Sequence, residues 1–127
     1  IRFSFPGIYA GKEIEDIRLT FEKGKVTNAT ASRGEDLVKA LLASDEGAPF
    51  LGEIGIGTNY RIDRFTQNNL FDEKIGGTIH LAFGAGYPET GSKNQSGIHW
   101  DMLADLREGG EIYGDGKLIY QDGKFVI

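Results

Sequence analysis

Two histidines and no cysteine occur in the 127 residues, and both histidines stand in segments that alternate apolar with polar or small residues. In Ile98-His99-Trp100-Asp101-Met102, side chains two positions apart on a strand face the same way. His99 and Asp101 therefore project together, with Ile98, Trp100 and Met102 opposite. An imidazole beside a carboxylate is a natural pair of metal ligands; a His–Asp hydrogen bond at a sheet surface would use the same two residues. His80 shares its side of Thr78–Gly84 with Thr78 and Ala82, whose small side chains leave room for a ligand or for a satisfied structural histidine. Glu73 precedes it with the pliant Gly76-Gly77 between, so a chain reversal there can bring acid and imidazole together.

Glu53 is the third acid of interest. It lies in Leu51-Gly52-Glu53-Ile54-Gly55-Ile56-Gly57, where a buried, uncompensated carboxylate is costly or becomes protonated. A cation removes that cost, and so does a place on the solvated face of an edge strand. Tyr87, in Gly86-Tyr87-Pro88-Glu89-Thr90, is presented by a glycine and proline loop; a phenol there can be packed or can donate to a developing oxyanion. Other machinery is missing: the sequence has no phosphate-binding GxxxxGK[ST] loop, no GxGxxG after a strand and no GxSxG. Lys93-Asn94-Gln95-Ser96 suits either substrate contact or turn chemistry.

The elements that must position these residues are mostly strands. Ile1–Phe5 reads as a short strand stopped by Pro6-Gly7, and Glu13–Phe21 as a strand turning at Glu22–Lys25 into Val26–Ser32. Leu37, Val38, Leu41 and Leu42 then follow helical spacing, which predicts one amphipathic helix over 34–44 with Ser32 as cap and Glu35 and Asp36 in its first turn. Thr58–Asn69 is a long polar loop, and Leu70–Gly77 has room for one helical turn. Thr78–Gly84 and Ile98–Leu103 are expected strands, with Gly84–Gly97 a loop between them. Glu111–Tyr113, Leu118–Tyr120 and Phe125–Ile127, separated by Gly114-Asp115-Gly116 and Gln121-Asp122-Gly123, form a β-meander. The expected fold is α+β: a strand-dominated single domain spanning 1–127, its sheet mixed or antiparallel.

Composition narrows the class. The chain is 39% hydrophobic and 26% charged with net charge −5, and it has no basic run, so nucleic acid is not expected as a partner. No apolar run approaches the roughly 20 residues that cross a bilayer, so no membrane partner is expected either. Without cysteine, thiol nucleophiles and zinc fingers are excluded, and a reducing compartment fits. The chain opens Ile1-Arg2-Phe3 and its one methionine is Met102, so a removed leader or a longer polypeptide is expected.

Taken in order, Asp45-Glu46-Gly47-Ala48, Gly52-Glu53-Ile54, Leu70-Phe71-Asp72-Glu73, His80-Leu81-Ala82-Phe83-Gly84 with Tyr87, Asn94-Gln95-Ser96 and His99-Trp100-Asp101-Met102 resemble the C-terminal half of the M29 family of thermophilic metal-dependent aminopeptidases. The resemblance covers nearly the whole chain. It implies a catalytic domain with two divalent metals, held by Glu53, Glu73, His80, His99 and Asp101, and Tyr87 as the group that stabilises the tetrahedral intermediate. Mixed His and carboxylate ligation suits zinc, cobalt or manganese. Also implied are peptide substrates cleaved at the N-terminus, a homodimer, a cytoplasmic location and an N-terminal α/β domain, carrying a further glutamate ligand, ahead of Ile1. A non-catalytic β-rich interaction domain with a relic His/Asp/Glu constellation is the competing expectation.

Overall fold

In the computed structural model, which describes residues 1–127, the chain folds into eleven strands and two α-helices. The strands are β1 (Arg2–Phe3), β2 (Gly7–Tyr9), β3 (Lys12–Ile14), β4 (Ile17–Glu22), β5 (Lys25–Thr30), β6 (Leu51–Ile56), β7 (Thr78–Gly84), β8 (His99–Asp105), β9 (Glu111–Gly114), β10 (Lys117–Gln121) and β11 (Lys124–Phe125). The helices are α1 (Glu35–Leu42) and α2 (Asn69–Asp72), and a 3-10 turn covers Pro88–Thr90. Strands pair in the orders β1-β4-β5, β2-β3, β6-β7-β8 and β9-β10-β11. All of these pairings are antiparallel, the single parallel contact being an isolated bridge from Asn59 to Ile75. No helix is long and apolar enough to cross a membrane.

Hairpins are set by a repeated two-residue signal. Lys23-Gly24, Asp115-Gly116 and Asp122-Gly123 each hold both residues at positive φ, the backbone twist that matches tight antiparallel turns. The core is one cluster: Phe3, Ile14, Ile17 and Leu19 from the first strands, Val38 and Leu41 from α1, and Ile79, Leu81, Phe83, Trp100 and Met102 from β7 and β8. Phe83 and Trp100 meet edge to face with ring centroids 5.4 Å apart. That cluster takes the odd-numbered side chains of β7 and leaves its even-numbered ones to the opposite face.

Three local expectations are corrected. The strand expected over Glu13–Phe21 is broken at Glu15-Asp16, where Asp16 adopts φ 50°, so Ile14 and Ile17 are both buried from separate strands. Ser32 does not cap α1: its hydroxyl donates to the Glu15 carbonyl at 3.2 Å. The cap position falls on Gly34 at φ 78°, and Glu35 reaches back to accept from the Ala31 N–H at 3.1 Å. β8 continues past Leu103 to Asp105, paired with β7 as far as Thr78, and on its other edge the Ser4 hydroxyl accepts from Asp105 N–H at 3.0 Å.

Candidate metal centre

Register on the middle strand β7 dictates which side chains meet. Ala82 is flanked by Glu53 of β6 and Asp101 of β8, His80 by Gly55 and Leu103, and Gly84 by His99. Glu53, His80, His99 and Asp101 thus share the face turned away from the aromatic core, and the smallest residues of the sheet lie among them. An irregularity in the β6–β7 register between Leu51 and Glu53 shifts the strand so that Glu53 lands beside Ala82.

Glu53 stands between the two imidazoles. Its Oε1 is 3.3 Å from His80 Nε2 and its Oε2 is 3.2 Å from His99 Nε2; Asp101 Oδ2 is 3.4 Å from the same His99 nitrogen. Two ligands about 2.1 Å from a tetrahedral ion stand about 3.4 Å apart, so each of these separations is that of a pair of ligands sharing a cation. Glu53, His99 and Asp101 offer three ligand atoms within 4.8 Å of one another.

The hydrogen bonding at His99 tests that fit. Its Nδ1 lies 2.6 Å from the Ala85 carbonyl oxygen, which can only accept, so Nδ1 carries the proton. In the neutral ring Nε2 is then a bare lone pair, and it faces two carboxylate oxygens. Neither contact qualifies as a hydrogen bond, and Nε2 is buried without a partner, as are His80 Nδ1 and Asp101 Oδ1. A lone pair packed against two anions is repulsive until a cation sits between them. Backbone carbonyls that fix the tautomer of a ligating histidine are the usual second layer of such sites. The residues present therefore fit a divalent ion.

Burial, opposed by His99 and reinforced by Glu53, pushes the Asp101 carboxyl above the usual carboxylate range. Glu73 sits on the wall of the same cleft as Glu53 and His80, a space of about 350 Å³ that Gly55, Gly57, Asn59 and Lys74 help to line. Its carboxylate contacts the Lys74 ammonium, and it lies outside the three-residue group that shares ligand spacing. Tyr87 precedes the 3-10 turn with its ring centroid 5.3 Å from that of His99, and at 52% exposure its ring is open to a ligand.

Sequence reasoning missed the groups that hold these side chains in place. Ala85 acts through its carbonyl, which no residue letter announces. Asn94 proves to be a brace: its side-chain amide donates to the Gly84 carbonyl at 2.6 Å and to the Gly47 carbonyl at 2.9 Å. Asp45 accepts from the Ser96 hydroxyl at 2.9 Å and from the Gly97 N–H at 2.7 Å, tying the approach to β6 to the approach to β8. Asx-type residues in polar loop segments were the available signal for both.

The chain matches the family model described as thermophilic metalloprotease (M29) over residues 1–125. It is 33% identical to aminopeptidase 2 of Geobacillus stearothermophilus, with all of this chain and 36% of that protein covered. It is likewise 33% identical to aminopeptidase T of Thermus thermophilus, over 97% of this chain and 32% of the relative. The solved structure of wild-type AmpT from Thermus thermophilus superposes on the whole chain with TM-score 0.79 at 28% identity, this chain covering 36% of it. The chain thus spans about a third of the length of these proteins.

Proposed function

The chain belongs to the M29 family of thermophilic metalloproteases, and from that membership we propose that it is the C-terminal metal-binding catalytic domain of an aminopeptidase that releases N-terminal residues from peptides. The observation that carries the proposal is Glu53, whose two carboxylate oxygens reach two imidazoles, 3.3 Å from His80 and 3.2 Å from His99. A carboxylate so placed can serve two cations at once. Asp101 would complete the set on the His99 side, and Glu73, on the cleft wall beside His80, would add a ligand after a change of rotamer that releases Lys74.

When bound, divalent ions of the zinc, cobalt or manganese type would acidify a water and polarise the scissile carbonyl. The chain's own residues do the rest. One carboxylate beside the ions takes up the water's proton. Tyr87 donates its phenol hydrogen to the oxygen that gains charge at the tetrahedral stage. Ala85 holds His99 in the tautomer that presents Nε2. The wider family resemblance extends this reading to a homodimer in the cytoplasm, with an N-terminal domain of the same polypeptide completing the site.

The test is hydrolysis of aminoacyl anilides by the full-length protein before and after chelation, and by its H80A and H99A variants. Activity lost in all three cases and restored to the chelated protein by metal is expected. Equal rates throughout would leave the competing assignment, a β-rich interaction domain with a vestigial constellation.

A further inference from the structure

The Ala85 carbonyl that holds the Nδ1 proton of His99 belongs to a turn with glycine on both sides, Gly84-Ala85-Gly86. Gly84 stands at φ 100°, and glycine leaves many other backbone conformations open. Left to itself, such a turn does not aim a carbonyl. What aims this one has to act on the two peptide units that meet at Ala85.

Asn94 acts on both. Its side-chain amide donates to the Gly84 carbonyl at 2.6 Å, in the peptide unit whose N–H, that of Ala85, donates to the Ile98 carbonyl at 2.7 Å. Its main-chain carbonyl accepts from the Gly86 N–H at 3.1 Å, and that N–H shares a peptide unit with the Ala85 carbonyl. Because the unit is planar and trans, fixing the N–H fixes the direction of the carbonyl on the other side of the same plane. The amide's second contact, to the Gly47 carbonyl at 2.9 Å, ties Asn94 to the segment that leads into β6. Both amide contacts are carbonyl oxygens, which only accept, so Nδ2 faces them and both of its hydrogens are engaged. Aspartate would set a carboxylate oxygen against two carbonyls, and alanine would leave both without this donor.

We propose that Asn94 is a positioning residue of the metal centre: by setting the two peptide units on either side of Ala85 it keeps the Ala85 carbonyl on His99 Nδ1, and so reserves Nε2 for the ion. This rests on the metal-centre reading above and deepens it, since it places control of the His99 tautomer in a residue that touches neither the ring nor the cation. The role is separable from general support of the fold. A brace that served stability alone would lower the melting temperature when cut and leave the ring's proton where it is. A brace that serves the tautomer lets the proton distribute between Nδ1 and Nε2, and a protonated Nε2 has no lone pair for a cation.

The test reads the proton directly. In the full-length protein, freed of metal and carrying isotope-labelled nitrogen in its imidazole rings, two-bond proton–nitrogen spectra at a pH where the rings are neutral show which nitrogen of His99 is protonated, with H99A to identify its signals. The unmodified protein is expected to hold His99 in the Nδ1–H form, and N94D and N94A to show a mixture of the two forms. Zinc affinity measured by isothermal titration is expected to fall about tenfold in both variants, the lower end of the loss seen for outer-layer partners of ligating histidines. An Nε2–H ring in the unmodified protein overturns the proposal without recourse to any variant, and so does an unchanged Nδ1–H ring in either variant, whatever the affinity does. If zinc fails to bind the unmodified protein at all, the metal-centre reading falls and takes the reservation of Nε2 with it, even where the tautomer shifts as expected.

Discussion

The imidazole of His80 occupies the space in which a side chain on Gly55 would begin: a Cβ there would stand 2.2 Å from Cε1 and 2.4 Å from Nε2 of the ring. The two residues are register partners on β6 and β7, so the ring lies across the neighbouring strand and reaches Glu53 only because that strand is bare at this point. A glycine at position 55 is therefore a condition of the site.

It follows that G55A displaces the ring and breaks its contact with Glu53 while leaving the β6–β7 ladder in place. Divalent-metal affinity of the full-length protein is expected to fall about 10- to 100-fold, the range seen when the supports of ligands are lost, with the circular dichroism spectrum retained. G97A is the control, because a Cβ there meets only Asp45 Oδ2 at 3.5 Å. Isothermal titration with zinc or manganese measures both; equal affinities for G55A and G97A would contradict the account.

The crowding of acids around His99 makes opposite demands on the empty and loaded protein. Glu53 raises the cost of ionising Asp101, so E53Q is expected to increase the thermal midpoint of the chelated protein slightly. The same change removes the charge and replaces one of the two carboxylate oxygens, of which one faces His80 and the other His99, so the rise in midpoint on adding metal should nearly vanish. For the unmodified protein, metal at 100 times its dissociation constant contributes about 2.7 kcal/mol, a shift of several degrees. Scanning calorimetry with and without chelator checks the crossing.

Tyr87 separates binding from chemistry. Its hydroxyl makes no hydrogen bond within the fold, and its ring lies beside that of His99 at the edge of the cluster. Y87F is expected to lower kcat about 10²- to 10³-fold, the loss from one oxyanion donor, with KM and metal affinity nearly unchanged. A phenylalanine variant with full kcat would reduce Tyr87 to a packing role.

Much of this arrangement was legible because strands encode it with a period of two. His99 with Asp101, and His80 away from Leu81 and Phe83, follow from alternation alone, and Glu53 announces itself as a charge in an apolar run. What escaped depends on backbone and on long-range closure. Gly34 starts α1 from a left-handed conformation without any side-chain cap, while the residue type that signals a cap is Ser32. Asp16 breaks a strand whose hydrophobic pattern runs on through it. The partner of His99 Nδ1 is a carbonyl of Ala85, and any residue type at 85 would have supplied one. Glu73 depends on the turn through Gly76-Gly77, whose path no periodicity describes.

The brace at Asp45 gives a stability prediction with a definite sign. The Gly97 N–H, then the Ser96 hydroxyl and the Ala48 N–H, hold its carboxyl below the ordinary value of 3.8. A depressed folded value means that the ionised form is favoured by folding, so its contribution is complete above the unfolded value and is lost as pH falls through the folded one. D45N is therefore expected to melt below the unmodified protein at neutral pH, with the gap closing as pH falls below the ordinary carboxylate range and the carboxylate of the unmodified protein is protonated as well. Thermal melts of both proteins across that range decide it; a gap that stayed constant would mean that shape at position 45 matters and charge does not. Because Asp45 fastens Gly97, two residues ahead of His99, to the segment leading into β6, the same variant should also bind metal more weakly at neutral pH. The brace and the centre then loosen together, as they must if one loop closure sets the distance from Glu53 to His99.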